Sequence, residues 1–220
     1  MPGQSPPRGS GKGPARRPGL ILLTVSAYVP GMDKPRNIFL VGPMGTGKTT
    51  IGKQLAKSLE MEFIDSDQVI ERRTGAEIAW IFDIEGEEGF RRRETEILDE
   101  LTQREHIVLA TGGGAVLAAQ NRDYLKRRGV VVYLHTDLEL LVQRTAKDRK
   151  RPLLQTPDPK ARLRQILEER EPLYRDLADI VLVTSSYTVR GAVKALITKL
   201  VPKQKRRPVS DYNKPNSHTG

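Results

Sequence analysis

The chain has 220 residues, with 37 Lys and Arg against 27 Asp and Glu, and no cysteine. This length suits one globular domain with tails, and the lack of cysteine excludes a disulfide scaffold, a thiolate zinc site and a cysteine nucleophile. The formal net charge of +10 is concentrated at the two ends, because residues 1–34 and residues 203–220 each carry five basic side chains and one acidic side chain. The body of the chain is therefore close to neutral, which argues against a fold that is itself a basic nucleic-acid-binding surface.

Both ends of the chain are expected to lie outside the folded domain. Residues 1–34 contain 6 Pro and 6 Gly, a composition that buries too little apolar surface to offset the entropy of ordering. They include a basic pair followed by an apolar stretch at 20–29, as a signal peptide would, but no small-x-small cleavage site follows. We interpret 1–34 as a non-targeting extension, with Met32 as an alternative translation start, and 203–220 as a basic tail that frays. We therefore expect a cytoplasmic protein with one domain at 35–202 and, since no apolar run approaches the ~20 residues of a membrane helix, no membrane partner.

Between these ends, short strand-like runs alternate with longer helical stretches. Five runs typical of buried strands lie at 37–41, 62–65, 106–110, 130–134 and 179–183. The spacing of apolar residues predicts helices at 48–59, 86–105, 118–128, 137–147, 159–177 and 188–200. Strands that alternate with helices indicate a parallel sheet covered on both faces, so we predict a three-layer α/β fold.

Residues 42–49, which read GPMGTGKT, match the G-x-x-x-x-G-K-[ST] pattern of a phosphate-binding loop. The pattern lies between the first predicted strand and the first predicted helix. There, the backbone amides of such a loop and the positive end of the helix dipole both face a phosphate. Lys48 can reach the β- and γ-phosphates, and the hydroxyl of Thr49 can ligate Mg²⁺. The loop predicts a nucleoside triphosphate site and leaves the second substrate open.

Two aspartates, Asp65 and Asp67, end the second predicted strand. Alternation along a strand puts them on one side, about 7 Å apart at ~3.3 Å per residue. That separation suits one carboxylate that faces Mg²⁺ or its waters and another that faces a substrate hydroxyl. An acidic loop without a ligand is the alternative, although ligands in α/β sheets bind at the carboxyl ends of strands, where this pair lies.

Further along the chain, three segments have the residue types of an anion-binding site. The run Arg91–Arg93 lies in a predicted helix, where its members point 100° apart; pairs such as Glu88–Arg92 could account for it, and the spacing does not select one arginine. Residues 112–114 are three glycines, which let a ligand approach the main chain closely or form a plain loop. Residues 148–160 are polar and broken by proline, as in a mobile lid whose arginines close over phosphates.

Six motifs, taken in this order, resemble the shikimate kinase family across about residues 36–200. They are the phosphate loop at 42–49, Asp65-Ser66-Asp67, Phe90-Arg91, Gly112-Gly113-Gly114, Arg151-Pro152-Leu153-Leu154 and Arg170-x-Pro-Leu-Tyr174. The resemblance implies five parallel strands in the order 2-3-1-4-5, a mobile lid at about 148–160, and a monomer. It also implies transfer of the γ-phosphoryl group of ATP to the 3-hydroxyl of shikimate, a step towards chorismate and the aromatic amino acids.

The resemblance further implies a role for each matching residue. The ATP phosphates would be held by Gly45, Thr46, Gly47, Lys48, Thr49 and Thr50, with Arg151 closing from the lid. Lys48 would stabilise the transferring group, Thr49 would ligate Mg²⁺, and Asp65 would lie behind it through water. Asp67 would bind the shikimate hydroxyls and orient or deprotonate the attacking one, Arg91 and Arg170 would clamp the carboxylate, and the amide of Gly113 would touch the substrate. Residues 185–189 read SSYTV where the family often has an arginine beside adenine, so no adenine contact is assigned there.

Two other functions are compatible with parts of the pattern. Another small-molecule kinase of the same fold, such as a gluconate kinase, would also need two arginines, because gluconate carries a carboxylate. A nucleic-acid-binding regulatory ATPase would use the basic ends, and its binding would be sensitive to salt. The shikimate kinase hypothesis is preferred because it uses all six motifs, and it predicts shikimate and ATP as the partners, Mg²⁺ as the cofactor and no nucleic acid.

Overall fold

The structure is a computed structural model that describes residues 37–146 and 156–200. Its strands are β1 (Ile38–Val41), β2 (Glu62–Asp65), β3 (Ile107–Ala110), β4 (Val130–His135) and β5 (Ile180–Val183). Its helices are α1 (Lys48–Leu59), α2 (Ser66–Thr74), α3 (Ile78–Thr102), α4 (Ala119–Arg128), α5 (Leu138–Thr145), α6 (Pro159–Leu177) and α7 (Val189–Leu200). The extensions 1–34 and 203–220, Arg151 and most of the expected lid lie outside the described residues.

The five strands form one parallel sheet in the order β2-β3-β1-β4-β5, as predicted. The central strand β1 pairs on both sides, with Leu40 opposite Ala110 of β3 and Val132 of β4. All four residues of β1 are buried, because helices cover both faces of the sheet. The strands therefore end at one common edge, where their carboxyl ends bring the following loops together.

Alternate residues of β1 enter two separate apolar clusters, one on each face of the sheet. Phe39 packs with Leu98 of α3 on one face, whereas Leu40 packs with Leu55 of α1 and Leu196 of α7 on the other. Each of these leucines is fully buried, and full burial of such a side chain contributes roughly 1.5–3 kcal/mol. The fold is therefore the three-layer α/β arrangement that the alternation of strands and helices predicts.

The segment between β2 and β3 contains more helix than the sequence pattern predicts. The predicted helix 86–105 is part of α3, which begins at Ile78 and contains a backbone break at Gly86 (φ 70°, ψ 177°). Helix α2 was not predicted, although its end signals are local. The Asp65 carboxylate caps its first turn by accepting hydrogen bonds from backbone amides, and Gly75 ends it in the left-handed conformation. Apolar spacing missed α2 because its mean hydropathy is low and few of its residues are buried.

The remaining element boundaries agree with the predicted ones to within about two residues. Strand β3 begins at Ile107 rather than 106, because His106 lies in the left-handed region with a φ of 64°. Strand β4 extends to His135 and helix α5 ends at Thr145. Across 37–146 and 156–200, none of the helices is both long and apolar enough to cross a bilayer.

Candidate active site

A cleft of about 450 Å³ opens at the carboxyl edge of the sheet. The loop after β1 forms its floor, Asp65 and Asp67 lie at one side, and Gly113 follows β3. The other end of the cleft is lined by Arg144 of α5 and, between the end of β5 and the start of α7, by Thr184 and residues 187–189. One cleft therefore joins the phosphate loop to two of the segments that the sequence pattern selects, the aspartate pair and the three glycines.

The phosphate loop has the backbone geometry that its glycines permit. Gly45 and Gly47 have φ values of 82° and 91°, in the left-handed region that side chains with a Cβ rarely adopt. The N-cap of α1 is Gly47, which has no side chain to occupy the first amides of the helix. The first amides of α1 are thus available at the positive end of its dipole, which is the arrangement that binds phosphate.

Lys48 and Thr46 hold the loop from within. The Lys48 ammonium donates to the carbonyl oxygens of Gly42 and Pro43 at 2.7 and 2.9 Å. The buried Thr46 hydroxyl donates to the Pro43 carbonyl at 2.9 Å. Lys48 lines the cleft together with Thr50, which is exposed, so a positive charge lies beside the loop amides.

Thr49 and Asp65 meet at the junction of β2 and the phosphate loop. The Thr49 hydroxyl donates to Asp65 Oδ2 at 2.8 Å, and Asp65 Oδ1 accepts from the Asp67 amide at 3.1 Å. These are hard oxygen groups, which Mg²⁺ prefers; it is usually held by one or two carboxylates together with waters and substrate phosphates. Within the described ranges no cluster of three or more His, Cys, Asp or Glu side chains suits a metal.

The prediction that Asp65 and Asp67 both belong to the second strand is wrong. Strand β2 ends at Asp65, and Asp67 belongs to the first turn of α2. Alternation along a strand therefore does not orient Asp67. Both residues nevertheless line the same cleft, because the tight cap at Asp65 turns the chain back towards the loop after β3.

Of the three consecutive arginines, only Arg91 points inward. Its side chain is 18% exposed and forms ion pairs with Glu87 at 2.8 Å and with Glu94 at 2.7 Å. Arg92 pairs with Glu88 at 3.1 Å on the outer surface, as the i,i+4 spacing predicts, and Arg93 pairs with Glu85. The structure thus separates Arg91 from its neighbours, which the spacing alone does not.

The three glycines after β3 allow charged side chains to close on the main chain. A Cβ at Gly114 would overlap the guanidinium group of Arg91. A Cβ at Gly112 would lie 2.5 Å from Glu94 Oε1 and 2.7 Å from Asp67 Oδ1. This loop is therefore more than a plain turn, because its bare backbone is the surface on which Arg91, Glu94 and Asp67 converge.

Arg170 completes this cluster from helix α6. It is 3% exposed, and its charge acts on Glu94, which is fully buried. Burial raises the pKa of Glu94 above its ordinary value, while Arg91 and Arg170 act in the opposite direction. In the described residues, Arg91 Nε, Arg170 Nε and Glu94 Oε1 are buried without a hydrogen-bond partner, so the cluster offers two donors and one acceptor.

Sequence reasoning missed several residues that belong to these surroundings. Glu94 lies three residues after Arg91 on one helix, a spacing that could have indicated the pair. Arg144 donates to the Gly45 carbonyl at 3.1 Å, a contact between segments 99 residues apart that no local pattern reveals. Tyr187 and its neighbours line the end of the cleft where the resemblance assigns no contact.

Comparison with known proteins gives one consistent family. A family model described as shikimate kinase matches residues 44–211. A shikimate kinase of Legionella pneumophila (strain Corby) is 58% identical over 167 residues, covering 76% of this chain and 95% of that protein. A shikimate kinase of Vibrio cholerae serotype O1 (strain ATCC 39315 / El Tor Inaba N16961) is 54% identical over 169 residues, covering 77% and 97%.

Solved structures agree with the sequence relatives. Shikimate kinase from Acinetobacter baumannii, in complex with shikimate, has a TM-score of 0.73 and 54% identity over 76% of this chain and 92% of that chain. A gluconokinase from Sinorhizobium meliloti 1021 is 18% identical with a TM-score of 0.52, a likeness that concerns the fold alone. Relatives this similar over nearly their whole length establish that the chain belongs to the shikimate kinase family.

Proposed function

We propose that this protein transfers the γ-phosphoryl group of Mg-ATP to the 3-hydroxyl of shikimate, giving shikimate 3-phosphate and ADP. One observation carries the proposal: a buried cluster of Arg91, Arg170 and Glu94 lies against the glycine loop, beside Asp67 and the phosphate loop. A nucleotide and a small anion with hydroxyl groups would thus meet in one cleft.

The nucleotide side of the proposal rests on the loop after β1. The amides at the start of α1 and the Lys48 ammonium hold the β- and γ-phosphates, with Gly45 to Thr50 forming the cradle. Thr49 and Asp65, which contact each other, would hold Mg²⁺, and the ion would neutralise charge on the phosphates. Arg144 donates to the Gly45 carbonyl and so adds a positive charge beside the phosphate loop.

The acceptor side rests on the cluster around Gly112–Gly114. The shikimate carboxylate takes hydrogen bonds from the guanidinium groups of Arg91 and Arg170, whose Nε atoms have no partner within the described residues. The Gly113 amide contacts the bound ring. Glu94 forms an ion pair with Arg91. Its negative charge also offsets the repulsion between the guanidinium groups of Arg91 and Arg170.

The reaction then needs one proton transfer and one displacement. Asp67 orients the 3-hydroxyl and accepts its proton as the oxygen attacks the γ-phosphorus. The bond between the γ-phosphorus and the β,γ-bridging oxygen breaks, and ADP leaves with that oxygen. Lys48 stabilises the charge on the transferring group, because its ammonium already lies at the phosphate loop before the reaction.

The acceptor is tested by ADP release from Mg-ATP with shikimate, gluconate, a nucleoside monophosphate or no acceptor. We expect strong stimulation by shikimate alone, because only this acceptor combines a carboxylate with a rigid ring of hydroxyls. Stimulation by gluconate instead would identify a different acceptor. Stimulation by no small molecule, with salt-sensitive binding of DNA or RNA, would support the nucleic-acid-dependent ATPase.

The substitution Gly114→Ala is predicted to weaken shikimate binding selectively. The backbone of Gly114 is outside the left-handed region, so alanine fits the main chain, but its Cβ would displace the Arg91 guanidinium. Loss of one charge-assisted hydrogen bond corresponds to a rise of about 10- to 100-fold in the KM for shikimate. Steady-state kinetics check this, and an unchanged KM for shikimate would exclude Arg91 from the carboxylate site. The KM for ATP and the thermal midpoint serve as internal controls.

A further inference from the structure

We infer that the hydroxyl group of Tyr174 is a positioning group for shikimate binding, because it ties the glycine loop to helix α6 one turn from Arg170. Tyr174 is fully buried and lies one turn after Arg170 on α6. Its hydroxyl donates a hydrogen bond to the carbonyl oxygen of Gly113, and the positive charge of Arg170 acts on the same hydroxyl. The inference rests on the proposed function, which puts shikimate against both of these partners.

The chemistry of a phenol suits this bridge. Burial raises the pKa of the Tyr174 hydroxyl above its ordinary value, so the group keeps its proton at any working pH. A protonated hydroxyl has one hydrogen to donate and two lone pairs that accept. It can therefore donate to the Gly113 carbonyl while its lone pairs face the positive charge of Arg170, a combination that neither a carboxylate nor an ammonium group offers.

The glycine loop depends on this contact for its middle residue. The Gly112 carbonyl accepts from the Ala115 amide at 3.2 Å, and the Gly114 carbonyl accepts from the Leu117 amide at 3.0 Å. The carbonyl between them, on Gly113, accepts from Tyr174 instead. Because glycine has the least restricted backbone of any residue, removal of this hydrogen bond lets the peptides on either side of Gly113 rotate, and with them the amide that faces the substrate.

The ring of Tyr174 is held independently of its hydroxyl. It stacks on Tyr133 of β4, with ring centroids 5.0 Å apart and an interplanar angle of 19°. The Tyr133 ring also lies under the phosphate loop, since a Cβ at Gly42 would be 3.4 Å from it. Removal of the Tyr174 hydroxyl should therefore leave the ring in place and remove only its hydrogen bond to Gly113.

Tyr133 supplies a matched control for the same experiment. It is equally buried and belongs to the same ring pair, but its hydroxyl has no hydrogen-bond partner within 37–146 and 156–200. The substitutions Tyr174→Phe and Tyr133→Phe therefore remove the same atom from neighbouring rings. Only the first breaks contacts to the acceptor site.

The test is a full steady-state analysis of wild type, Tyr174→Phe and Tyr133→Phe with shikimate and Mg-ATP varied in turn. We expect Tyr174→Phe to raise the KM for shikimate up to about tenfold, the upper range for loss of one neutral hydrogen bond, with the KM for ATP within about twofold of wild type. Tyr133→Phe should match wild type in both. Calorimetric titration of shikimate into each protein without nucleotide should show the same loss of affinity for Tyr174→Phe alone.

Three outcomes would overturn the inference in distinguishable ways. A Tyr174→Phe protein with wild-type affinity for shikimate shows that the hydroxyl does not position the site. Equal changes in both variants, accompanied by lowered thermal midpoints, show a role in packing only. A wild-type protein that shikimate does not stimulate overturns the proposed function itself, and with it this inference.

Discussion

The substitution Asp67→Asn is expected to lower kcat by about 10²- to 10⁴-fold, the usual contribution of a general base, while ATP still binds. The substitution keeps the size of the side chain and its place in the first turn of α2. It removes the negative charge and the capacity to accept the proton of the attacking hydroxyl. A change this large in turnover with little change in nucleotide affinity separates a role in chemistry from a role in folding.

The matched control is Asp83→Asn on helix α3. Asp83 is exposed and lies outside the cleft, so the same chemical change there should leave kcat near wild type. kcat is measured from shikimate-dependent ADP release, and ATP affinity from equilibrium binding. Near-normal turnover of Asp67→Asn would remove Asp67 from the proton-transfer step and leave it, at most, as a ligand for a substrate hydroxyl.

The second large effect is expected at Lys48. Methionine there keeps much of the side-chain volume but removes the ammonium that donates to the carbonyls of Gly42 and Pro43. Loss of one preorganised group that stabilises transition-state charge lowers kcat by about 10²- to 10³-fold. The KM for ATP should also rise, because the same charge contacts the phosphates before the reaction.

Lys57→Met is the control for this substitution on the same helix. Lys57 is exposed in the last turn of α1, where a cation contributes only about 0.3–1 kcal/mol through the helix dipole. Its kinetics should equal those of wild type. A Lys48→Met protein with wild-type kcat would show that the amides of the loop stabilise the transferring group without help from Lys48.

The phosphate loop and the sheet were predictable because their signals are local. The pattern at 42–49 contains the loop glycines and Lys48, and each strand is a short apolar run; the order of the strands, by contrast, is implied only by the family resemblance. Helix α2 was equally local, since Asp65 and Gly75 mark its two ends, but a search for apolar spacing does not register caps. Because the cap at Asp65 was not considered, Asp67 was predicted to end the second strand, whereas it lies in the first turn of α2.

The acceptor cluster depends on burial, which the sequence does not display. Arg91, Arg92 and Arg93 are chemically alike, and only the packing of α3 against the glycine loop turns Arg91 inward. Glu94 reads as one more exposed acidic residue on a charged helix, yet it is fully buried. The contact of Tyr174 with Gly113 joins residues 61 positions apart, so no local pattern could have predicted it.

Nuclear magnetic resonance of the product tests whether the protein transfers a phosphoryl group to one oxygen of shikimate. Wild-type protein, Mg-ATP and shikimate are incubated together, and ³¹P and ¹H spectra locate the new phosphate ester. We predict one product, phosphorylated on the 3-oxygen and formed in equal amount to ADP. ADP accompanied by inorganic phosphate with unmodified shikimate, or a phosphate on another hydroxyl, would exclude transfer to the 3-oxygen.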